Sequence, residues 1–278
     1  MPVTTERSNG AAGQVELRDV TIGFPTDTGR FVAVQDCSLA IRPNEFLSVV
    51  GPSGCGKSTM LFAVDGLYEP SAGQILVDGR PIEGPNPDRA MVFQEFGLFP
   101  WRTIWSNVEF PLELRATPRK MSRAERREVA ERYLRLVGLE GFGTRYPHQL
   151  SGGMKQRVGI ARAFASGAEI LLMDEPFASV DAQTRDIMGL ELLRVWNQER
   201  KTVVFVTHSI EEAVYLSDRV AVMTAGPTRV KEIIDIHLPR PRPLEIRGTP
   251  EFAELRQRVW ASLKVEVMKN PQFATTNL

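Results

Sequence analysis

The sequence predicts an α/β protein whose parallel-sheet core carries a phosphate-binding loop and is interrupted by a helical insertion. Three observations carry this expectation. A short, wholly apolar run, Phe46–Val50, leads directly into the glycine-rich segment Gly51-Pro52-Ser53-Gly54-Cys55-Gly56-Lys57-Ser58. Two further apolar runs, 170–173 and 203–206, bracket a helical stretch at 184–199. Between the first and second runs the chain changes character near Trp101 and becomes helical and densely charged. Strand–helix–strand order with continuously apolar strands is what a parallel sheet demands, because its crossover helices cover both faces.

Taken in order, residues 1–14 read as a disordered leader of small and polar types, without the apolar stretch of a secretory signal. Residues 15–24 and 31–41 alternate apolar and polar side chains, the period of half-buried antiparallel strands, with 25–29 as the turn between them. Residues 74–78 and 90–94 are further strand candidates. From 104 to 138 the pattern is helical; Ser122 is a cap candidate and 123–137 a charged amphipathic stretch, its Arg119, Lys120, Arg123, Arg126 and Arg127 interleaved with Glu125, Glu128 and Glu131. That interleaving favours a solvated helix face over a nucleic-acid patch. The proline-rich segment 239–243 reads as a linker and 251–267 as an amphipathic helix, so 15–240 forms the main domain, with a helical subdomain at about 100–165, and 241–278 a C-terminal helical extension.

Composition narrows the function. Thirty-four basic side chains balance thirty-four acidic ones, which gives the whole chain no electrostatic reason to seek nucleic acid. Hydrophobic residues make up 42% of the 278, ordinary for a globular protein, and no apolar run approaches the length of a bilayer span. Two cysteines, Cys37 and Cys55, make no disulfide framework and suit a reducing compartment, so the expected location is cytosolic. Three dispersed histidines suggest no metal cluster; His148 reads as a structural brace before the next helix, and His237 lies outside every motif.

The segment Gly51–Ser58 fits G-x-x-x-x-G-K-[ST], the loop whose small residues let backbone N–H groups wrap a phosphate. Lys57 supplies positive charge to the β- and γ-phosphates, Ser58 a hydroxyl to Mg²⁺, and the helix beginning there, with Thr59 in its first turn, adds its dipole. Ile170-Leu-Leu-Met-Asp174-Glu175 places a carboxylate at a strand end, where Asp174 can reach a metal ion and Glu175 can polarise an attacking water. Leu150-Ser151-Gly152-Gly153-Met154 opens another helix and offers a second anion-binding surface. One triphosphate does not need two such helix ends from one chain. Two copies that each contribute one surface to each of two nucleotides would use both.

With Gln94, Ser179-Val180-Asp181 and His208, these motifs follow the order of the ABC ATPases, and the chain resembles that family over roughly residues 15–240. The resemblance implies a RecA-like P-loop core, an antiparallel β subdomain, an inserted helical subdomain and a head-to-tail dimer. It implies that Gln94 ligates Mg²⁺ and reports occupancy to a membrane subunit, that Asp181 lies at the dimer seam, and that His208 hydrogen-bonds the γ-phosphate and holds the water-activating geometry with Glu175. Phe24 is the candidate for stacking on adenine, with Phe31 second. ATP and Mg²⁺ are the expected ligands. The expected partners are a second ATPase subunit, permease subunits whose helix enters a groove near 95–101 and, indirectly, a solute-binding protein, on the cytoplasmic face of the membrane. Two positions depart from the family pattern. Met154 stands where glutamine is usual, which implies loss of a contact near the ribose, and Val180 stands where leucine is usual. Segments 82–89, 97–102 and 225–229 look like the nitrate, sulfonate and taurine importer ATPases. Importers of pyrimidine precursors are the second reading and soluble ABC ATPases the third.

Overall fold

The computed structural model describes residues 12–27, 29–114 and 121–269. Residues 1–11 of the expected leader, Arg119 and Lys120 of the basic cluster, and the last nine residues of the expected extension lie outside the described residues. The chain forms β1 (Val15–Thr26), β2 (Gly29–Ile41), β3 (Phe46–Val50), α1 (Lys57–Asp65), β4 (Ala72–Val77), β5 (Arg80–Pro81), β6 (Arg89–Val92), α2 (Ile104–Leu114), α3 (Arg123–Leu136) and α4 (Gly152–Ala165). The second half adds β7 (Ile170–Asp174), α5 (Ala182–Glu199), β8 (Thr202–Val206), α6 (Ile210–Leu216), β9 (Arg219–Met223), β10 (Val230–Asp235) and α7 (Pro250–Val267).

Two sheets organise the molecule. The smaller is antiparallel in the order β2-β1-β4-β5; the larger runs β10-β9-β3-β8-β7-β6, parallel apart from its β10 edge. Period-two alternation divides the large sheet's side chains between two cores. Leu47, Val49, Leu172, Val204 and Ala221 pack with Met60 and Leu61 of α1 and with Val20 and Val34 of the small sheet. Phe46, Val50, Met173, Phe205 and Val222 pack on the other face with Phe164 of α4, Trp196 of α5 and Tyr215 of α6. All five residues of β3, β7, β8 and β9 are buried, so these strands are apolar on both faces rather than alternating. The fold is that of a RecA-like P-loop core with an antiparallel β subdomain and inserted helices.

Several local expectations shift. The first hairpin closes further out than its composition suggests: Pro25 pairs with Arg30 and Thr26 with Gly29, so Pro25 belongs to β1 rather than to the turn. Strand β6 stops at Val92, two residues short of Gln94. The 104–138 stretch is two helices, α2 and α3, and the second begins with a capping box in which Ser122 and Glu125 satisfy each other's backbone N–H. The charges of α3 reach beyond their own helix. Arg127 pairs with Glu109 of α2 and stacks over Trp105 at 3.9 Å, and Arg132 donates to Glu199 of α5 at 2.5 Å. Segment 239–243 is anchored rather than free. Arg242 is buried and donates to the carbonyls of Val214, Tyr215, Ser217 and Leu238, which caps the C-terminal turn of α6. Arg240 pairs with Asp218 at 2.9 Å, and Phe252, Val259 and Leu263 of α7 join the larger core.

One buried ion pair locks the large sheet to the loop after β2. Arg219 at the start of β9 forks onto Glu45 and also donates to Ala40 O at 2.7 Å, while Glu45 Oε2 accepts from Arg42 N at 2.7 Å. Removing one member leaves an unpaired buried charge, so Arg219→Met should lower stability by about 3 kcal/mol in urea unfolding. The double substitution Glu45→Gln/Arg219→Met should recover much of that loss. Strict additivity of the two single effects would show that the carboxylate is not stranded.

Candidate nucleotide-binding and hydrolysis site

The candidate side chains collect at the C-terminal ends of three adjacent strands. β3 runs into the 51–58 loop, β7 ends at Asp174, and β8 ends just before Thr207 and His208. Main-chain hydrogen bonds tie the three exits together: Thr207 N donates to Val49 O at 3.2 Å and Glu175 N to Val206 O at 3.0 Å.

The loop's shape is enforced by its glycines. Gly54 and Gly56 both have positive φ, at +72° and +117°, and a Cβ on Gly56 would stand 2.6 Å from Ala33 O. Lys57 is buried, and its Nζ donates to Gly51 O at 3.0 Å and Pro52 O at 2.9 Å, so the ammonium lies inside the curve of the loop. Cys55 points away from the cradle: its thiol is buried and accepts from Thr228 Oγ1 at 3.5 Å. Pro52, Ser53 and Thr59 belong to this loop and to the first turn of α1, and a phosphate would meet the loop through its backbone.

Ser58 Oγ donates to Asp174 Oδ1 at 2.8 Å. Burial, the largest influence, raises the Asp174 carboxyl above its ordinary range; the Ser58 hydrogen bond opposes this, Glu175 adds to it and Lys57 opposes it. A hydroxyl beside a single incompletely compensated carboxylate is a hard oxygen donor set, which suits Mg²⁺ completed by phosphate oxygens and waters. The described residues hold no group of three His, Cys, Asp or Glu able to enclose a metal by themselves.

Glu175 follows with φ of +44°, a left-handed conformation that is strained for a residue with a Cβ and aims its side chain off the strand end. Its Oε2 lies 3.2 Å from Nδ1 of His208, which is half exposed. Thus Lys57, Ser58, Asp174, Glu175 and His208 converge. Other expected residues do not join them. Gln94 is exposed beyond β6 and makes no side-chain hydrogen bond among the described residues. Ser151 caps α4 by accepting from Met154 N at 3.3 Å, and Asp181 caps α5 by accepting from Thr184 N at 3.0 Å. These two caps are neighbours, because a Cβ on Gly153 would stand 3.1 Å from Thr184 Cγ2, while Gly152 faces Phe96. Phe24 packs edge-on against Tyr68 at 5.2 Å and pairs across the hairpin with Phe31, which is 57% exposed. His148 is exposed and stacks on Tyr146 at 5.8 Å, its one aromatic contact.

A buried network behind His208 escaped the sequence reading. Thr207 Oγ1 donates to Glu212 Oε2 at 2.5 Å and accepts from Ser209 N at 3.0 Å; Glu212 N donates to Ser209 Oγ at 3.3 Å. The available signal was the capping pattern Ser209-x-x-Glu212, which marks the start of α6. Beyond Gln94 lies a cavity of about 540 Å³, bordered by Met91, Phe93, Phe99, Phe110, Leu114 and Arg162. Trp101 nearby is 73% exposed.

A strand feeding a lysine-bearing glycine loop, faced by Asp174 at the end of a parallel strand one removed in the sheet and by Glu175 just beyond it, defines a P-loop nucleotide hydrolase. The chain belongs to the ABC transporter ATP-binding family, an ABC-type ATPase, and matches the ABC transporter family over residues 34–178. An uncharacterized ABC transporter ATP-binding protein of Methanocaldococcus jannaschii is 51% identical over 92% of this chain and 94% of its own. The nitrate import ATP-binding protein NrtD of Synechococcus elongatus is 44% identical, covering 84% of this chain and 85% of its own. The bicarbonate transport ATP-binding protein CmpD of Synechocystis is 40% identical over 92% and 91%. Among solved structures, the dimeric post-hydrolysis state of the ATP-binding cassette MJ0796 bound to ADP and Pi superposes with a TM-score of 0.72 at 34% identity, over 81% of this chain and 99% of that one.

The raised Asp174 carboxyl makes a signed prediction. A carboxylate whose folded pKa lies above its unfolded value contributes stability when protonated and loses it as pH rises through the folded pKa. At neutral pH the charge therefore costs stability, and Asp174→Asn, which can still accept from Ser58, should raise the melting temperature of the nucleotide-free protein in EDTA. The same variant should lose the further stabilisation that Mg-ATP gives the parent, measured by scanning calorimetry.

Proposed function

We propose that this chain is the ATP-hydrolysing subunit of an importer for a small solute of the nitrate, sulfonate or taurine kind, working as one half of a nucleotide-sandwich dimer under a membrane permease. The convergence of Lys57, Ser58, Asp174, Glu175 and His208 carries this reading. Lys57 would exchange its hold on Gly51 O and Pro52 O for the β- and γ-phosphates, and the loop N–H groups would take up the charge that develops on the transferred phosphoryl group. Ser58, Asp174 and Gln94 would hold Mg²⁺, which would supply positive charge against the phosphates. Glu175 would orient and polarise the attacking water, with His208 fixing the carboxylate and reaching the γ-phosphate. Phe24 would stack on adenine and Phe31 border it.

Ser151, Gly152, Gly153 and Asp181 are proposed to act on the partner copy's nucleotide. Their shared position, with Gly153 against Thr184 and no hydrogen bond to the 51–58 loop, supports one continuous surface for a second subunit. ATP would then close the dimer because it binds both halves at once, and cleavage would release them. The cavity lined by Phe93, Phe99 and Phe110, with the exposed Trp101 ring 5.7 Å from Phe99, supports the docking of a permease helix. No helix among the described residues is long and apolar enough to cross a membrane, which favours peripheral attachment through that permease on its cytoplasmic face. A solute-binding protein would deliver the cargo. The nitrate and bicarbonate relatives support a small anion as that cargo.

Glu175→Gln should bind ATP with little change in KM, lose turnover by about 10²–10⁴-fold, and accumulate a dimer in Mg-ATP detectable by light scattering. Steady-state hydrolysis at the parental rate would remove Glu175 from its role, and a monomer at saturating ATP would remove the sandwich.

A further inference from the structure

We infer that Glu212 is a positioning residue for hydrolysis, tying the His208 loop to the loop that carries Asp181. The inference rests on the roles proposed for Glu175 and His208. Glu212 sits in the first turn of α6, and only 7% of it is exposed. A buried carboxylate is costly unless it is held by donors or charges. Its two oxygens have separate tasks. Oε2 accepts from Thr207, the residue directly before His208, at 2.5 Å. Oε1 lies 3.4 Å from Nε of Arg185 in the first turns of α5, and Arg185 Nη2 donates at 2.9 Å to the carbonyl of Val180, the residue directly before Asp181.

The result is a continuous path from Glu175 to His208, through the Thr207 hydroxyl to Glu212, and through Arg185 to the backbone of the Asp181 loop. Thr207 Oγ1 both donates to Glu212 and accepts from Ser209 N, so its hydroxyl fixes the peptide on either side of His208. No simpler role accounts for this arrangement. Ser209 alone caps α6, by accepting from Glu212 N, and the Glu212 side chain is not needed for that cap. Arg247, whose guanidinium stacks over Tyr215 and pairs with Asp186 of α5, adds positive charge to the same pocket. Glu212 is therefore a hub between α5 and α6, the two helices whose first residues follow the seam loop and the histidine loop.

The test compares full-length parent, Glu212→Gln, Thr207→Val, the double variant, Thr207→Ser and Glu175→Gln in steady-state ATPase assays, with melting temperatures taken with and without Mg-ATP. Glu212→Gln and Thr207→Val should each lower kcat about tenfold with the KM for ATP unchanged, in line with misplacement of a reacting group by a fraction of an ångström. Thr207→Ser, which keeps the hydroxyl, should restore kcat. The double variant should be no slower than either single one, because both interrupt the same path, Thr207→Val at the hydroxyl and Glu212→Gln at the ion pair with Arg185. Parental kcat in a folded Glu212→Gln protein would overturn the inference, as would losses that multiply to about a hundredfold or a change in KM alone. If Glu212→Gln does not fold, the contrast between Thr207→Val and Thr207→Ser still decides: a kcat in Thr207→Val equal to that of Thr207→Ser overturns it. Glu175→Gln separates the two levels. Turnover surviving there refutes the proposed hydrolytic role, whereas a dead Glu175→Gln beside a fully active Glu212→Gln refutes only the relay.

Discussion

The molecule depends on the register of three neighbouring parallel strands. Val49 of β3 faces Val206 of β8, and Val206 faces Asp174 of β7, so the three strands end at one level. Each exit is then held by its neighbour's backbone, Thr207 N on Val49 O and Glu175 N on Val206 O. Side chains in a strand alternate faces, so a slip of one residue in β7 would exchange Leu172 with Met173 between the two cores and turn the Asp174 side chain to the wrong face. Packing on both faces forbids that slip, and this is how the 51–58 loop comes to share one end of the sheet with Asp174 and His208, both more than a hundred residues further along the chain.

Burial imposes a second requirement, and structural and functional charges meet it differently. Arg242 spends its donors on four carbonyls, and Glu45 and Arg219 neutralise each other while fixing backbone groups on either side. Lys57 is quieted by two loop carbonyls. Asp174 is held more lightly: among the described residues its side chain has Ser58 as its one hydrogen-bond partner, and burial acts against its charge. Under the proposed reading its compensation would come from a bound metal ion and phosphate, and the left-handed φ of Glu175 would aim that carboxylate off the strand end. Stability is forgone where the chemistry is to happen.

Much of this was legible in the sequence, for physical reasons. The buried strands announced themselves as uninterrupted apolar runs, and the loop glycines are dictated by φ angles that other residues resist. What stayed hidden depended on tertiary partners. Pro25 reads as a turn residue, yet as part of a hairpin end it needs no donor from its own nitrogen. The 239–243 segment has the composition of a linker, but its arginines find α6 carbonyls that no local pattern reveals. Glutamates interleaved at 125, 128 and 131 suggest charge pairing along α3, but Arg127 reaches Glu109 of α2 instead, a partner that no local spacing reveals. Glu212 gives no local sign of its partners, because an acid in the first turn of a helix also fits the dipole alone.

The contact between the caps of α4 and α5 bears on how two copies would communicate. Gly153 lies against Thr184, the residue whose N–H Asp181 accepts, so the 151–153 and 179–181 segments cannot shift independently without opening a gap or a clash at that contact. Arg185 continues the connection from the Val180 carbonyl to Glu212, and Thr207 carries it to the histidine loop. Under the proposed dimer, a displacement at the 151–153 surface would reach His208 through packing at Gly153, the Asp181 cap, the Arg185–Glu212 ion pair and the Thr207 hydrogen bond. In a head-to-tail pair each copy's serine–glycine surface would touch the other's nucleotide, so the occupancy of one site would bear on the hydrolytic geometry of the second. The requirement for such coupling is two discrete arrangements of one packed unit, and the α4–α5–α6 cap cluster is a unit small enough, and sufficiently cross-braced, to move as one.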